Sequence, residues 1–209
     1  MKLGRRDFIK TSLVGTALLS AGGLSHIKAA TPVKKDKLST KAKLNLSFQE
    51  GIPPGKNLNE KLDFMEKHGV VGFEPGGHGL KNRVKEIQSA LKGRNIKVSA
   101  ICAGFDGFIL STDPAIRKQC RNTMEEIIVA AGELGSTGVI IVPAFNNQVP
   151  VMPHTQETRD FLCEQFNEMG NFAHQHGTTV IFEPLNRKEA FYLRQVGDAA
   201  SICRDINNP

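Results

Sequence analysis

Two carboxylates stand where solvation alone explains them badly. Glu183 follows the apolar run Val180-Ile181-Phe182 and precedes Pro184, and Glu74 follows Gly72-Phe73 and precedes Pro75. Each closes a run that reads as a core strand. A carboxylate at such a lip can hold a cation, take up a proton, or accept a hydrogen bond from a hydroxyl. The plain alternative is a side chain leaving the sheet for solvent, but two Phe-Glu-Pro endings in one chain argue against coincidence. His78, in Gly76-Gly77-His78-Gly79, lies on a loop whose glycines permit close approach of a ligand; an ordinary loop histidine is the competing reading. Cys102 and Asp106 end the run Lys97–Ala103 and could line a pocket, with Cys102 equally readable as a packing residue. Asn146 and Asn147 read as pocket donors or as turn formers. His174 and His176 are two apart and do not share a helix face, so a zinc site is not expected from them. His154 reads as a loop residue beside a helix cap.

Something must hold these groups in place. Short apolar runs at Leu44–Phe48, Val70–Phe73, Lys97–Ala103, Gly138–Ala144 and Thr178–Phe182 read as strands, and helical patterns lie between them. Asn57–His68 closes at Gly69, Asp113-Pro114 opens a helix, Thr155–His176 carries an apolar stripe ending at Gly177, and Val196–Ile206 is helical again. Strands alternating with helices imply parallel β/α units. The 166 residues from 44 to 209 make five units of about 33, against roughly 31 per unit in an eight-unit barrel. The expectation is therefore a barrel represented by about its first five units, in a gene product or fragment truncated at its carboxyl end. An open doubly wound sheet is the alternative, and it would want a glycine-rich phosphate turn after the first strand. Gln49-Glu50-Gly51-Ile52-Pro53-Pro54-Gly55 is not that turn.

Composition sets the remaining bounds. The chain has 209 residues and a net charge of +6, of which +4 falls in residues 1–30, so a nucleic-acid partner is poorly supported. Arg5-Arg6 before Asp7-Phe8-Ile9-Lys10, then the apolar stretch Leu13–Leu24, resembles a twin-arginine export signal. That stretch is too short for a stable membrane span. Residues 1–30 are read as this signal, residues 31–43 as a basic flexible linker and residues 44–209 as the folded domain. The implied destination is the periplasm, with the twin-arginine translocase as a transient partner. Four cysteines without C-x-x-C spacing read as buried apolar residues, not as a metal cluster or a disulfide framework.

The heptad Glu183-Pro184-Leu185-Asn186-Arg187-Lys188-Glu189 resembles the signature of the sugar phosphate isomerases/epimerases. These are xylose-isomerase-like TIM barrels, (β/α)8 in full, that include ketose 3-epimerases and hydroxypyruvate isomerases. The resemblance implies that Glu183 binds a divalent metal, Mn2+ or Mg2+, and takes part in proton transfer, while Glu189 contacts a terminal hydroxyl of the substrate. Asn186, Arg187, Glu74, His78 and Cys102 are assigned to the substrate pocket. The remaining metal ligands, an Asp, a His and a second Glu, are expected beyond residue 209, so the 209-residue chain itself is expected to be inactive. The implied substrate is a small ketose, a sugar derivative or a keto-acid. A catalytically silent carbohydrate-binding barrel, or an inactive fragment, is the alternative, and the sequence leaves room for a homo-oligomer. An abasic-site endonuclease on the related barrel would need more histidine ligands than the five after the leader.

Overall fold

A computed structural model describes residues 44–208; the expected export signal and the whole of the basic linker lie outside the described residues. Five parallel strand positions succeed one another. β1 (Ser47–Gln49) pairs with β2 (Gly72–Glu74), and β2 with β3 (Lys97–Val98). The third strand position continues through Ile101, which bridges in parallel to Val139 of β4 (Val139–Ile141). β4 then pairs with β6 (Val180–Phe182). A short antiparallel pair, β5 (Ala144–Phe145) with β7 (Ala190–Tyr192), straps the loops that follow β4 and β6.

The connecting helices start where side chains can satisfy free backbone N–H groups. Before α1 (Leu58–Lys67), Asn57 accepts from the Glu60 amide at 3.0 Å while Glu60 reaches back to the Lys56 amide at 2.8 Å. A short 3-10 turn, Leu80–Asn82, leads into α2 (Val84–Leu91). Asp113 caps α3 (Pro114–Glu133), with Pro114 in the first turn, where a missing N–H costs nothing. Thr155 caps α4 (Gln156–Gln175), and α5 (Val196–Ile206) follows β7.

The helices cover the sheet with an apolar layer. Phe73, Ile101 and Ile141 from the strands meet Leu62, Met65, Ile87, Met124, Ile128 and Leu162 from the helices, all fully buried. Each such side chain contributes roughly 1.5–3 kcal/mol by leaving water. At Gly72 the first two strands come so close that a Cβ would lie 2.5 Å from the Ser47 Cβ. The expected strand, helix and unit order is observed. Among the cysteines, Cys120 is buried as expected, whereas Cys203 is exposed and Cys102 and Cys163 are half-buried. Cys203 lies on the rim of α5, lining a groove of about 260 Å³ with Phe166, Val180 and Phe182 along the β6 edge.

Candidate active site

The carboxyl ends of the strands converge on one face, and each contributes the residue at which its apolar run stops. β1 ends in Gln49, β2 in Glu74, the third strand position in Cys102, and β6 is followed by Glu183. The proline after each glutamate favours extended backbone at the glutamate itself, so the strand geometry carries through to it. The Glu183 amide donates to the Ile141 carbonyl at 3.1 Å, still in register with β4, and the Glu50 amide donates to the Glu74 carbonyl at 3.0 Å. Gln49 Nε2 donates to Cys102 Sγ at 3.6 Å, crossing over the strand that carries Glu74. Gln49 went unnoticed in the sequence because the first apolar run stops at Phe48, whereas the strand continues one residue further.

The electrostatics of this mouth are those of clustered carboxylates. Burial, then the charge of Glu74, then that of Glu189 push the Glu183 carboxyl above its ordinary range. The Cys102 thiol is pushed up by burial and by Glu74 and Glu183. Glu74 Oε1 is buried with no hydrogen-bond partner among the described residues.

Glu189 belongs to a separate turn that returns to the same mouth. Asn186 donates its side-chain amide to the Glu189 carboxylate and accepts from the Lys188 amide at 2.9 Å, so both ends of its side chain are engaged inside the turn. Arg187 is exposed, and its guanidinium makes no ion pair among the described residues. His78 is not brought to the carboxylates. The Gly77 amide bonds the Cys102 and Ala103 carbonyls, and the loop turns toward α3, leaving His78 in a small cavity with Asp106, Thr123 and Glu126. His154 stacks on Tyr192 at 4.9 Å and 9°.

An acidic mouth with an orphaned carboxylate oxygen suits a divalent cation, and oxygen donors of this kind suit Mn2+ or Mg2+ better than a thiolate-selected metal. Among the described residues, however, no group of three or more His, Cys, Asp or Glu side chains stands ready to hold a metal ion. No helix among the described residues is long and apolar enough to cross a membrane.

Parallel β/α units with their polar groups at the carboxyl ends of the strands define the class: a TIM-barrel architecture with its candidate site on the carboxyl face. Residues 62–209 match the xylose isomerase-like TIM barrel family, and the chain belongs to that family. The 3-dehydro-D-guloside 4-epimerase of Escherichia coli (strain K12) is 28% identical over 150 residues, which is 69% of this chain and 57% of that protein. The crystal structure of 3-keto-D-glucoside 4-epimerase from E. coli superposes with a TM-score of 0.69 at 25% identity, covering 80% of this chain and 66% of that one. D-allulose 3-epimerase from Methylomonas sp., solved in complex with D-allulose, gives a TM-score of 0.68 at 16% identity, covering 79% and 60%. The chain therefore spans less than two thirds of the length of each of these relatives. An IOLI protein of the same fold, 19% identical with a TM-score of 0.59, over 78% of this chain and 59% of that one, was crystallised with a bound zinc atom.

Proposed function

We propose that this chain carries the Glu183 half of the active site of a metal-dependent isomerase or epimerase that moves a proton on the carbon beside a carbonyl of a small keto-sugar or keto-acid. The observation that supports this most is Glu183 itself, a half-buried carboxylate at the end of the fifth parallel strand position, facing the charges of Glu74 and Glu189. Both E. coli matches are named for inversion at the carbon next to a keto group, which is this chemistry.

Glu183 has two tasks in this reading: it is a metal ligand, and it takes the proton from the carbon. Removing that proton builds negative charge on the substrate's oxygens, and a divalent ion held in part by Glu183 would supply positive charge to offset it. The carboxyl group that has accepted the proton returns it to the neighbouring carbon to give the isomer. Inversion instead requires delivery from the opposite face by a second acid. Glu189 receives a terminal hydroxyl, Arg187 extends toward the substrate, and Glu74 and Cys102 line the floor. Asn186 acts within its turn, and His78 is left out because it lies in a different cavity. Export to the periplasm through the twin-arginine route belongs to the same proposal, supported by Arg5-Arg6 and the short apolar stretch behind them.

In a version extended to eight units, Glu183→Gln keeps the shape and removes the charge, so titration with Mn2+ should show a loss of affinity of at least about tenfold. Glu189→Gln should leave Mn2+ binding unchanged and weaken binding of a ketose. Unchanged Mn2+ affinity in Glu183→Gln would overturn the assignment.

A further inference from the structure

The turn that carries Glu189 has almost nothing packed on it. Asn186, Arg187, Lys188 and Glu189 are all exposed, so hydrogen bonds alone decide where the carboxylate stands. Some of those bonds are internal: the Glu189 and Ala190 amides both donate to the Asn186 carbonyl at 3.0 Å. These close the turn but do not attach it to anything. The flanks of the turn are attached by the pairing of Phe145 with Ala190 and by the Leu185 amide, which donates to the Leu193 carbonyl at 3.3 Å; between them the turn itself is attached by Asn146, just after β5. Its side-chain Nδ2 donates to the Arg187 carbonyl at 2.9 Å, and its backbone amide donates to the Glu189 carbonyl at 2.9 Å. Asn146 is itself held in a second turn, where the Phe145 amide donates to Gln148 Oε1 at 2.8 Å and the Gln148 amide to the Phe145 carbonyl at 3.2 Å. The turn after β4 and the turn after β6 are thus bolted face to face, forty residues apart in sequence.

We propose that Asn146 is a positioning residue for Glu189, fixing the substrate-side carboxylate in place relative to Glu183 by tying its turn to the end of β4. The inference rests on the role given to Glu189 above. Asn146 touches neither the substrate nor the ion in this scheme; it acts through the main chain of Arg187 and Glu189. The Asn146 side chain adds a tie inside the turn that the β5–β7 pairing does not supply, and a carboxylate that swings by about 1 Å loses much of its value as a substrate anchor.

The test uses the full chain with Asn146→Ala and Asn146→Asp, the latter equal in size but unable to donate to the Arg187 carbonyl. Hydrogen exchange at the Glu189 and Ala190 amides should be faster by about tenfold in both variants, since each loses one exposed tie. Exchange in β6 and Mn2+ affinity should be unchanged, because neither depends on the turn. In a version extended to eight units, KM for a ketose should rise about tenfold while kcat changes little, as expected when an anchor and not a proton carrier is disturbed. Unchanged exchange at Glu189 and Ala190 overturns the proposal, and so does exchange that accelerates throughout β6 and the core, which would make Asn146 a general structural residue. If the extended wild-type protein turns over no ketose, the functional reading fails separately, and the exchange measurement on the 209-residue chain decides on its own whether Asn146 holds the turn.

Discussion

Glu74 and Glu183 repel one another from strands that are not neighbours: after burial, the negative charge of Glu74 is the strongest influence holding the Glu183 carboxyl above its ordinary range. Cys102, between them in strand order, is pushed up by both carboxylates as well as by burial. Folding therefore gathers charges that the unfolded chain keeps apart, which is a cost that a bound cation would relieve.

That cost has a pH signature. Below the ordinary carboxylate range the group is protonated in both states and contributes nothing. Between the ordinary value and the raised folded value the unfolded chain ionises first, so stability falls across that window and stays lower above it. Glu183→Gln removes the penalty. The metal-free variant should melt at a higher temperature than wild type at about pH 8 and at the same temperature at about pH 3. A lower melting temperature for the variant at the higher pH would show that Glu183 is not repelled in the folded state.

Local signals carried much of the fold, and non-local ones did not. Asn57, Asp113-Pro114 and Thr155 announce their helices because a capping side chain must lie within three residues of the amide it serves. The helix Val84–Leu91 has no such announcement: Arg83, before it, makes no side-chain cap, and the helix follows a glycine-rich loop. The strap of β5 and β7 consists of two and three residues paired across more than forty positions, which no local pattern encodes. Glu74 and Glu183 were legible because a charge at the end of an apolar run is conspicuous. Gln49 was hidden by a one-residue shift in where β1 stops; Asn146 was legible as a pocket donor or turn former, but its partners, main-chain carbonyls more than forty positions away, were not. The glycine-rich spacing around His78 does not encode the long-range bonds of the Gly77 amide to the Cys102 and Ala103 carbonyls, which accompany the turn of its loop toward α3.

Gly77 should tolerate no side chain. A Cβ there would lie 2.0 Å from the Ala103 carbonyl oxygen, a backbone atom that cannot step aside without breaking the loop, whereas a Cβ on the adjacent Gly76 would meet nothing within 4 Å. Gly77→Ala should lose roughly 2–4 kcal/mol in chemical denaturation and Gly76→Ala about 0.5 kcal/mol or less. Equal losses for the two would show that the close approach at Gly77 does not govern this loop.

The cysteines should react in the order of their exposure. Burial pushes the Cys120 thiol up to about 12, so almost none of it is thiolate near neutrality, while Cys203 is exposed on α5. Alkylation with iodoacetamide at about pH 8, followed by peptide mass spectrometry, should label Cys203 first, Cys102 and Cys163 more slowly, and Cys120 only on unfolding. Early labelling of Cys120 in the folded protein would mean that the face of α3 against the core opens readily.

The proposed export route makes the last prediction. Arg5 and Arg6 stand immediately before Asp7-Phe8-Ile9-Lys10, and the apolar stretch after them is diluted by Gly15, Gly22 and Gly23, as suits a leader read by a receptor better than one that anchors in a bilayer. The twin-arginine route carries proteins that fold before crossing, which accords with a domain whose thiols are free. Changing both arginines to lysine keeps the charge and the apolar stretch and removes only the paired guanidinium groups. The expected outcome is retention: cell fractionation should find the wild-type protein in the periplasm, shortened by about thirty residues, and the double variant at full length in the cytoplasm. Periplasmic protein in equal amount from both would assign the leader to another route.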